Sequence, residues 1–397
     1  MIFYHILGTY FLFYSIYTSF HLLNGSKRVS REKKGKNIDI SYQEWVVFLP
    51  AYKPGKVFLE VLEAIQNAAF PGKLHIYVLL QEASEEIASK IKAYDGVYVE
   101  EKSFKEVIGN PYHEVLRYMC RQTKDRISKG ELQPTHVVLL DKDNIVASDF
   151  FEVMASNIQD YDIVQGRRAP LKVETAGQAY DALAEALNDA MFRMSRMKIG
   201  ASPEFSGSGL VFDFASFDYA TTHLDPKAPG MDKNLLIQLL LRDQPPLIGY
   251  IPEAVIYEEK TEKLEALQSQ RVRWFGNQYY NALYYWKKLF SKGKLDTIDY
   301  AIALFRPPRS VHWLLLLLGT GLELICWMFF GSFFPLFSVS LLATGLGITK
   351  FVLSEKKRGK WFRQIMKKVP SIALNNLLSV WKGIQKKSQG KFIHTEH

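Results

Sequence analysis

His136-Val137-Val138-Leu139-Leu140-Asp141-Lys142-Asp143 reads as a buried strand that runs out onto two carboxylates. Asp141 and Asp143 straddle one residue, so on an extended exit from the strand both side chains can face one site. Carboxylate oxygens are natural ligands for magnesium or manganese, and such a cation can neutralise a diphosphate. Asp-Lys-Asp-Asn is also good turn composition, so taken alone the pair reads equally as a turn or a helix cap.

Outward from this strand, strand-like and helical runs alternate. Trp45–Leu49, Leu74–Leu80, Val97–Val99 and Asp162–Val164 read as strands. Val57–Ala69, Glu85–Tyr94, Tyr112–Ser128 and Phe150–Ile158 have helical periodicity. This alternation predicts an α/β domain with a largely parallel sheet and helices on both faces. Ligands of such sheets gather at the carboxyl ends of the strands. Pro50-Ala51-Tyr52, Gln81-Glu82 and Asp141-Lys142-Asp143 all fall there.

Three later stations extend the pattern. Phe205-Ser206-Gly207-Ser208-Gly209 is a small-residue loop before the strand-like Leu210–Phe212, where a substrate can approach the backbone closely. Asp232, in Gly230-Met231-Asp232-Lys233, opens a helical stretch. It fits either an N-terminal cap or a general base toward a hydroxyl. Gln270-Arg271-Val272-Arg273-Trp274 sits in a long helical pattern from Glu262 to about Lys288. Its arginines can clamp phosphate oxygens and its Trp can stack on a sugar. It can also be an amphipathic helix with a core Trp. Taken together, the order of the stations reads as sugar transfer from an activated nucleotide.

Composition bounds the rest. A chain of 397 residues with 48% hydrophobic and 14% aromatic residues is not disordered. The net charge of +9 is concentrated: residues 26–36, 355–368 and 382–397 carry +5, +6 and +3, leaving about −5 elsewhere. These basic runs flank apolar segments, which fits membrane lipids and not nucleic acid. Residues 2–23 are long and apolar enough to span a bilayer as an uncleaved anchor, and the basic run after them puts residue 24 onward in the cytoplasm. Val311 to Leu353 reads as a hairpin of two spans broken at Gly331-Ser332 and Pro335, with Glu323 inside the first. The expected organisation is an anchor at 1–24, a basic linker at 25–44 and a cytoplasmic catalytic domain at 45–292. An interfacial segment at 293–310, the hairpin at 311–354 and a basic tail at 355–397 with an interfacial helix complete it. Cys120 and Cys326 form no metal or disulfide framework, which suits a reducing compartment.

Pro50-Ala51-Tyr52, Asp141-x-Asp143, Gly207-Ser208-Gly209, Asp232 and Gln270-x-x-Arg273-Trp274 stand in one order that resembles the membrane-bound members of glycosyltransferase family 2, such as cellulose, chitin and hyaluronan synthases. The resemblance covers about residues 45–290. It implies the GT-A nucleotide-binding fold and an inverting transferase of the cell membrane. It also implies a nucleotide-diphosphate sugar as donor, a UDP-sugar before others, and a glycan or lipid-linked acceptor. By the resemblance, Asp141 and Asp143 handle the diphosphate with Mg2+ or Mn2+, and Asp232 is the base. Gln270, Arg273, Trp274 and the loop at Gly207, Ser208 and Gly209 hold acceptor and leaving diphosphate. Pro50, Ala51, Tyr52, Gln81 and Lys105 line the donor side. Two positions depart from the family pattern: Gln81-Glu82 where Asp is usual, and Met231 where Glu usually precedes the base. Gln81 can still bond a uracil or guanine edge. Three spans are too few for one chain to enclose a sugar channel, which favours few transfers or work with partner subunits. A non-catalytic relative that scaffolds a membrane assembly is the competing class.

Overall fold

The computed structural model of the protein describes residues 2–26, 43–107, 109–262, 264–331 and 335–384. The basic run after residue 26, Ser332 and the end of the C-terminal tail lie outside the described residues. In chain order the first half comprises α1 (Ile2–Gly25), β1 (Glu44–Tyr52), α2 (Val57–Asn67), β2 (Lys73–Gln81), α3 (Glu85–Lys92), β3 (Val97–Glu101), α4 (Pro111–Ser128), β4 (His136–Leu139), β5 (Ile145–Val146) and α5 (Phe150–Asn157). Next come β6 (Ile163–Pro170), α6 (Ala176–Asn188), a π-helical turn (Asp189–Met194), α7 (Ser195–Lys198), β7 (Leu210–Asp213), α8 (Phe214–Thr222), α9 (Met231–Leu240) and β8 (Ile248–Glu258). The C-terminal part is helical: α10 (Leu264–Ser291), α11 (Leu295–Leu304), α12 (Arg309–Phe330), α13 (Leu336–Leu353), α14 (Lys356–Ile365) and α15 (Val369–Ile384).

The eight strands form one sheet in the order β3-β2-β1-β4-β7-β6-β8-β5. The half from β3 to β4 is parallel throughout. The expectation of a largely parallel sheet needs correction beyond it. β7 runs antiparallel to both β4 and β6, and β5 runs antiparallel to β8. The result is a mixed α/β sheet of the GT-A kind.

Both faces of the parallel half are covered, so its strands are apolar on both sides instead of alternating. Along β1, Val46 and Phe48 enter one core with Leu116, Leu139 and Phe217. Trp45, Val47, Leu49 and Ala51 enter the other with Phe58, Ile65 and Phe151. The register sets Tyr52 beside Gln81, so the ends of β1 and β2 are level. β6 is longer than Asp162–Val164 suggests because it continues through Gly166-Arg167-Arg168, with a register shift at Gly166/Arg167. Its second half is polar because Arg168 is paired with Glu258 of β8.

Among the described residues three helices are long and apolar enough to cross a membrane: Tyr4–Gly25, Arg309–Phe330 and Leu336–Leu353. Glu323 is buried and accepts from the backbone N–H groups of Phe337 and Ser338 at 2.7 and 2.8 Å, and from the Tyr4 and Ser338 hydroxyls. It therefore caps the start of α13 from within the neighbouring helix, satisfying amides that would otherwise lack partners. α14 and α15 are not a loose tail. Trp361, Ile365 and Ile372 belong to the same core as the sheet residues Phe48 and Leu139.

Candidate functional site

The carboxyl ends of β1, β2 and β4 open onto a cavity of about 650 Å³. Pro50, Tyr52, Gln81, Glu82 and Lys105 line one end of it. Ala51 is fully buried beneath them and touches the core instead. Immediately past these strand ends, Lys53 and Glu82 adopt φ of 45° and 52°, a left-handed conformation that non-glycine residues rarely hold. Strain of this kind costs about 1–3 kcal/mol and gathers at functional sites. The Lys53 N–H donates to the Gln81 carbonyl at 2.8 Å and Lys53 Nζ lies 3.7 Å from Glu82, so the two turns are tied together, while Lys142 Nζ donates to the Tyr52 carbonyl at 2.9 Å and Lys105 lies 3.3 Å from Glu82.

Asp141, Asp143 and Asp232 line this same cavity. Asp141 is held by Tyr112, whose hydroxyl donates to Oδ1 at 3.3 Å. Tyr112 is placed by the start of α4, where Asn110 caps the helix and Pro111 occupies its first turn. Burial and then the neighbouring Asp143 push the Asp141 carboxyl up to about 6. Two adjacent carboxylates, one already disfavoured as an anion, are a donor set that suits a hard divalent cation. Among the described residues no group of three or more His, Cys, Asp or Glu gathers as a metal cluster, so further ligands would come from the diphosphate and water.

Asp232 stands one residue inside α9; the cap position is Gly230, so the capping alternative is not realised. A carboxylate in the first turn is still favoured by the helix dipole. Asn277 Nδ2 donates to Asp232 Oδ1 at 2.7 Å, and Lys233 Nζ lies 3.7 Å from Oδ2. The Asn277 amide is itself oriented, because its Oδ1 accepts from Asn281 at 2.8 Å and Asn281 in turn accepts from Asn234 at 2.9 Å. Gly207 faces Asp232: a Cβ there would meet the Asp232 Cβ at 3.9 Å. Its φ of 97° needs glycine. Ser208 and Gly209 lie behind this wall, with Ser208 fully buried.

Gln270, Arg273 and Trp274 reach the cavity from α10. Burial lowers the Arg273 guanidinium, while Asp141 and Asp232 hold it up, so Arg273 is within electrostatic reach of both acidic stations. The Gln270 Oε1 is buried without a partner among the described residues.

Several residues beneath the site escape sequence reading. Arg168 binds Glu258 and donates to the Ser206 carbonyl at 2.5 Å, which fixes the loop leading to Gly207. Glu204 pairs with Lys233 and with Arg306. Burial pushes its carboxyl up, but Arg306 and Lys233 outweigh that and hold it well below the usual range. Asn277 is the exception that had a signal: positions 270, 273, 274 and 277 form one helix face.

A family model described as "Glycosyltransferase like family 2" matches residues 43–277, more than half of the chain. No curated protein matches. Among solved structures, mannosyltransferase PcManGT from Pyrobaculum calidifontis, in complex with GDP-Man and Mn2+, is similar with a TM-score of 0.54 at 16% identity. The match covers 95% of this chain and 97% of that one. S. aureus TarS, residues 1–349, gives a TM-score of 0.40 at 11% identity, covering 89% and 93%. At these identities the likeness concerns the fold. The family match and the GT-A sheet together make this chain a member of the glycosyltransferase family 2-like proteins.

Proposed function

We propose that the protein transfers a sugar, with inversion, from a nucleoside-diphosphate sugar to an acceptor hydroxyl by a single displacement. The observation that carries this reading is the shared cavity: Asp141, Asp143, Asp232 and Arg273 line it together. Pro50, Tyr52 and Gln81 border the nucleobase, and Lys105 stands at the rim. Asp141 and Asp143 hold Mg2+ or Mn2+, the latter being the ion in the PcManGT complex. When bound, the cation neutralises the diphosphate and makes it a leaving group. Arg273 and Gln270 bind the departing phosphate oxygens, and Trp274 stacks on the sugar at the acceptor side. Asp232, with one oxygen engaged by Asn277, uses the other to take the acceptor's proton as the new bond forms. The glycine at 207 lets the acceptor pass close to the backbone beside it. The three apolar helices anchor this domain at the cell membrane, with the site on the cytoplasmic side where the basic flanks lie.

Purified full-length protein tests this with a screen of uridine and guanosine sugars, read as release of nucleoside diphosphate. One nucleotide class is expected to be turned over. Asp232→Asn should lower release by about 10²–10⁴-fold while nucleotide plus Mn2+ still raises the thermal midpoint. Chelation of the metal should abolish that thermal shift. Equal release by wild type and Asp232→Asn with every donor would sink the proposal.

A further inference from the structure

The cavity does not end at the carboxylates. It continues past Arg306, Pro307 and Arg309 to Trp313 and Leu317 of α12, Val352 of α13 and Phe362 of α14. Leu317 is 53% exposed, so the cavity opens on the face of a helix apolar enough to cross a bilayer.

Between the polar and apolar ends stand three arginines from separate elements. The guanidinium carbons of Arg306 and Arg309 lie 4.0 and 5.7 Å from the centroid of the Phe192 ring, so both gather around one aromatic side chain. Arg271 lies 4.9 Å over the ring of Tyr180. Asn376 donates to both the Tyr180 hydroxyl and the hydroxyl of Ser310, next to Arg309, and so joins Arg271 to the pair. Their charge is not balanced. Asp181 lies 3.4 Å from Arg271, and Glu204 is shared between Arg306 and Lys233. Among the described residues no carboxylate pairs with Arg309, whose hydrogen bonds go to the Ala184 carbonyl and the Asn188 amide oxygen. Arg271 is 7% exposed and its Nε is buried without a partner among the described residues. Counting Asp232, 3.7 Å from Lys233, four cations stand around three carboxylates, which leaves one positive charge in a secluded place, an arrangement that is costly until an anion arrives. Arg273, the arginine within electrostatic reach of Asp141 and Asp232, lies two residues from Arg271, and on a helix that separates their directions by about 200°. Arg271 instead lies 4.6 Å over the ring of Trp274, on the acceptor side of the reading above.

We infer that the arginine cluster receives a phosphate-bearing membrane lipid. Its anion sits on Arg271, Arg306 and Arg309, and its hydrocarbon chain leaves past Leu317 along α12 and α13. Planar guanidinium groups match phosphate oxygens in pairs, and the apolar mouth matches the chain. This names the acceptor class of the transfer proposed above and rests on that reading. A neutral glycan would leave both the arginines and the apolar opening without a counterpart.

The test uses the full chain in detergent and three probes: farnesyl phosphate, farnesol and inorganic phosphate. Farnesyl phosphate should bind at least tenfold more tightly than either of the others. Arg309→Gln should erase that preference, and Arg309→Lys should restore part of it. Arg271→Gln supplies a second variant on a different element should position 309 prove intolerant. Thermal stabilisation by nucleotide plus Mn2+, measured in parallel, reports the donor site and the fold separately. Its loss in wild type would strike the transferase reading; its retention with failed lipid binding would strike only this one. Equal binding of farnesol and farnesyl phosphate, or of inorganic and farnesyl phosphate, overturns the inference. So does an undiminished preference in both glutamine variants.

Discussion

Asp232 owes its position to a residue with no side chain. A Cβ on Gly230 would come within 2.6 Å of Asn277 Nδ2, the atom that donates to Asp232. Gly230→Ala therefore displaces the amide and leaves the carboxylate free to turn. Gly230 caps α9 with an extended φ of −147° that alanine also adopts, so the helix start is kept and the donor end untouched; the expected result is about a tenfold fall in kcat with the donor KM within about twofold. Steady-state release of nucleoside diphosphate measures both, and an unchanged kcat would refute the positioning role. At this scale the sequence was a partial guide. Asp141, Asp143 and the 270–274 box were legible because each motif is contiguous and its chemistry is local. Arg168, Glu204 and Glu258 were not, because their partners arrive from segments far along the chain.

Among elements, the strands of the parallel half were readable from their apolar runs, since burial on both faces leaves no polar positions. β8 went unread: its eleven residues include Gly249, Pro252 and Glu253, punctuation that suggests a loop. The register shift opposite Gly166/Arg167 accommodates that interruption. The α12–α13 hairpin was readable from length and hydropathy, but Glu323 was ambiguous until its four donors were seen. Glu323→Gln replaces two acceptor oxygens by one and turns an NH2 group on donors already in place. The expected cost is about 1–3 kcal/mol, seen as a lower thermal midpoint of the solubilised protein. An unchanged midpoint would show that the cap contributes nothing.

Over the whole molecule, the C-terminal helices and the 270–274 box form one packed unit. α15 crosses α10 at a pair of glycines: a Cβ on Gly383 would lie 2.7 Å from the Val272 carbonyl and 2.9 Å from the Gly276 amide. Both obstacles are backbone and cannot swing aside. Gly383→Val should therefore lift α15 from the helix that carries Gln270, Arg273 and Trp274. A lower midpoint together with at least a tenfold loss of transfer is expected; a stable variant with full activity would show that the two helices are independent. None of this was visible in the sequence, where 369–384 reads only as the interfacial helix of the basic tail.

The pairing of α1 bears on how the protein is made. Ser15 of α1 bonds His312, 297 positions away, and Ser19 bonds the Ala343 carbonyl, 324 positions away. Tyr17 and His21 reach Asp299 on α11. At ribosomal speeds of roughly 5–20 residues per second, these hydroxyl and imidazole groups wait about 15–60 s for counterparts still to be synthesised. A helix made before its partners is thus completed late, and until then its polar side chains are open to whatever stands beside them.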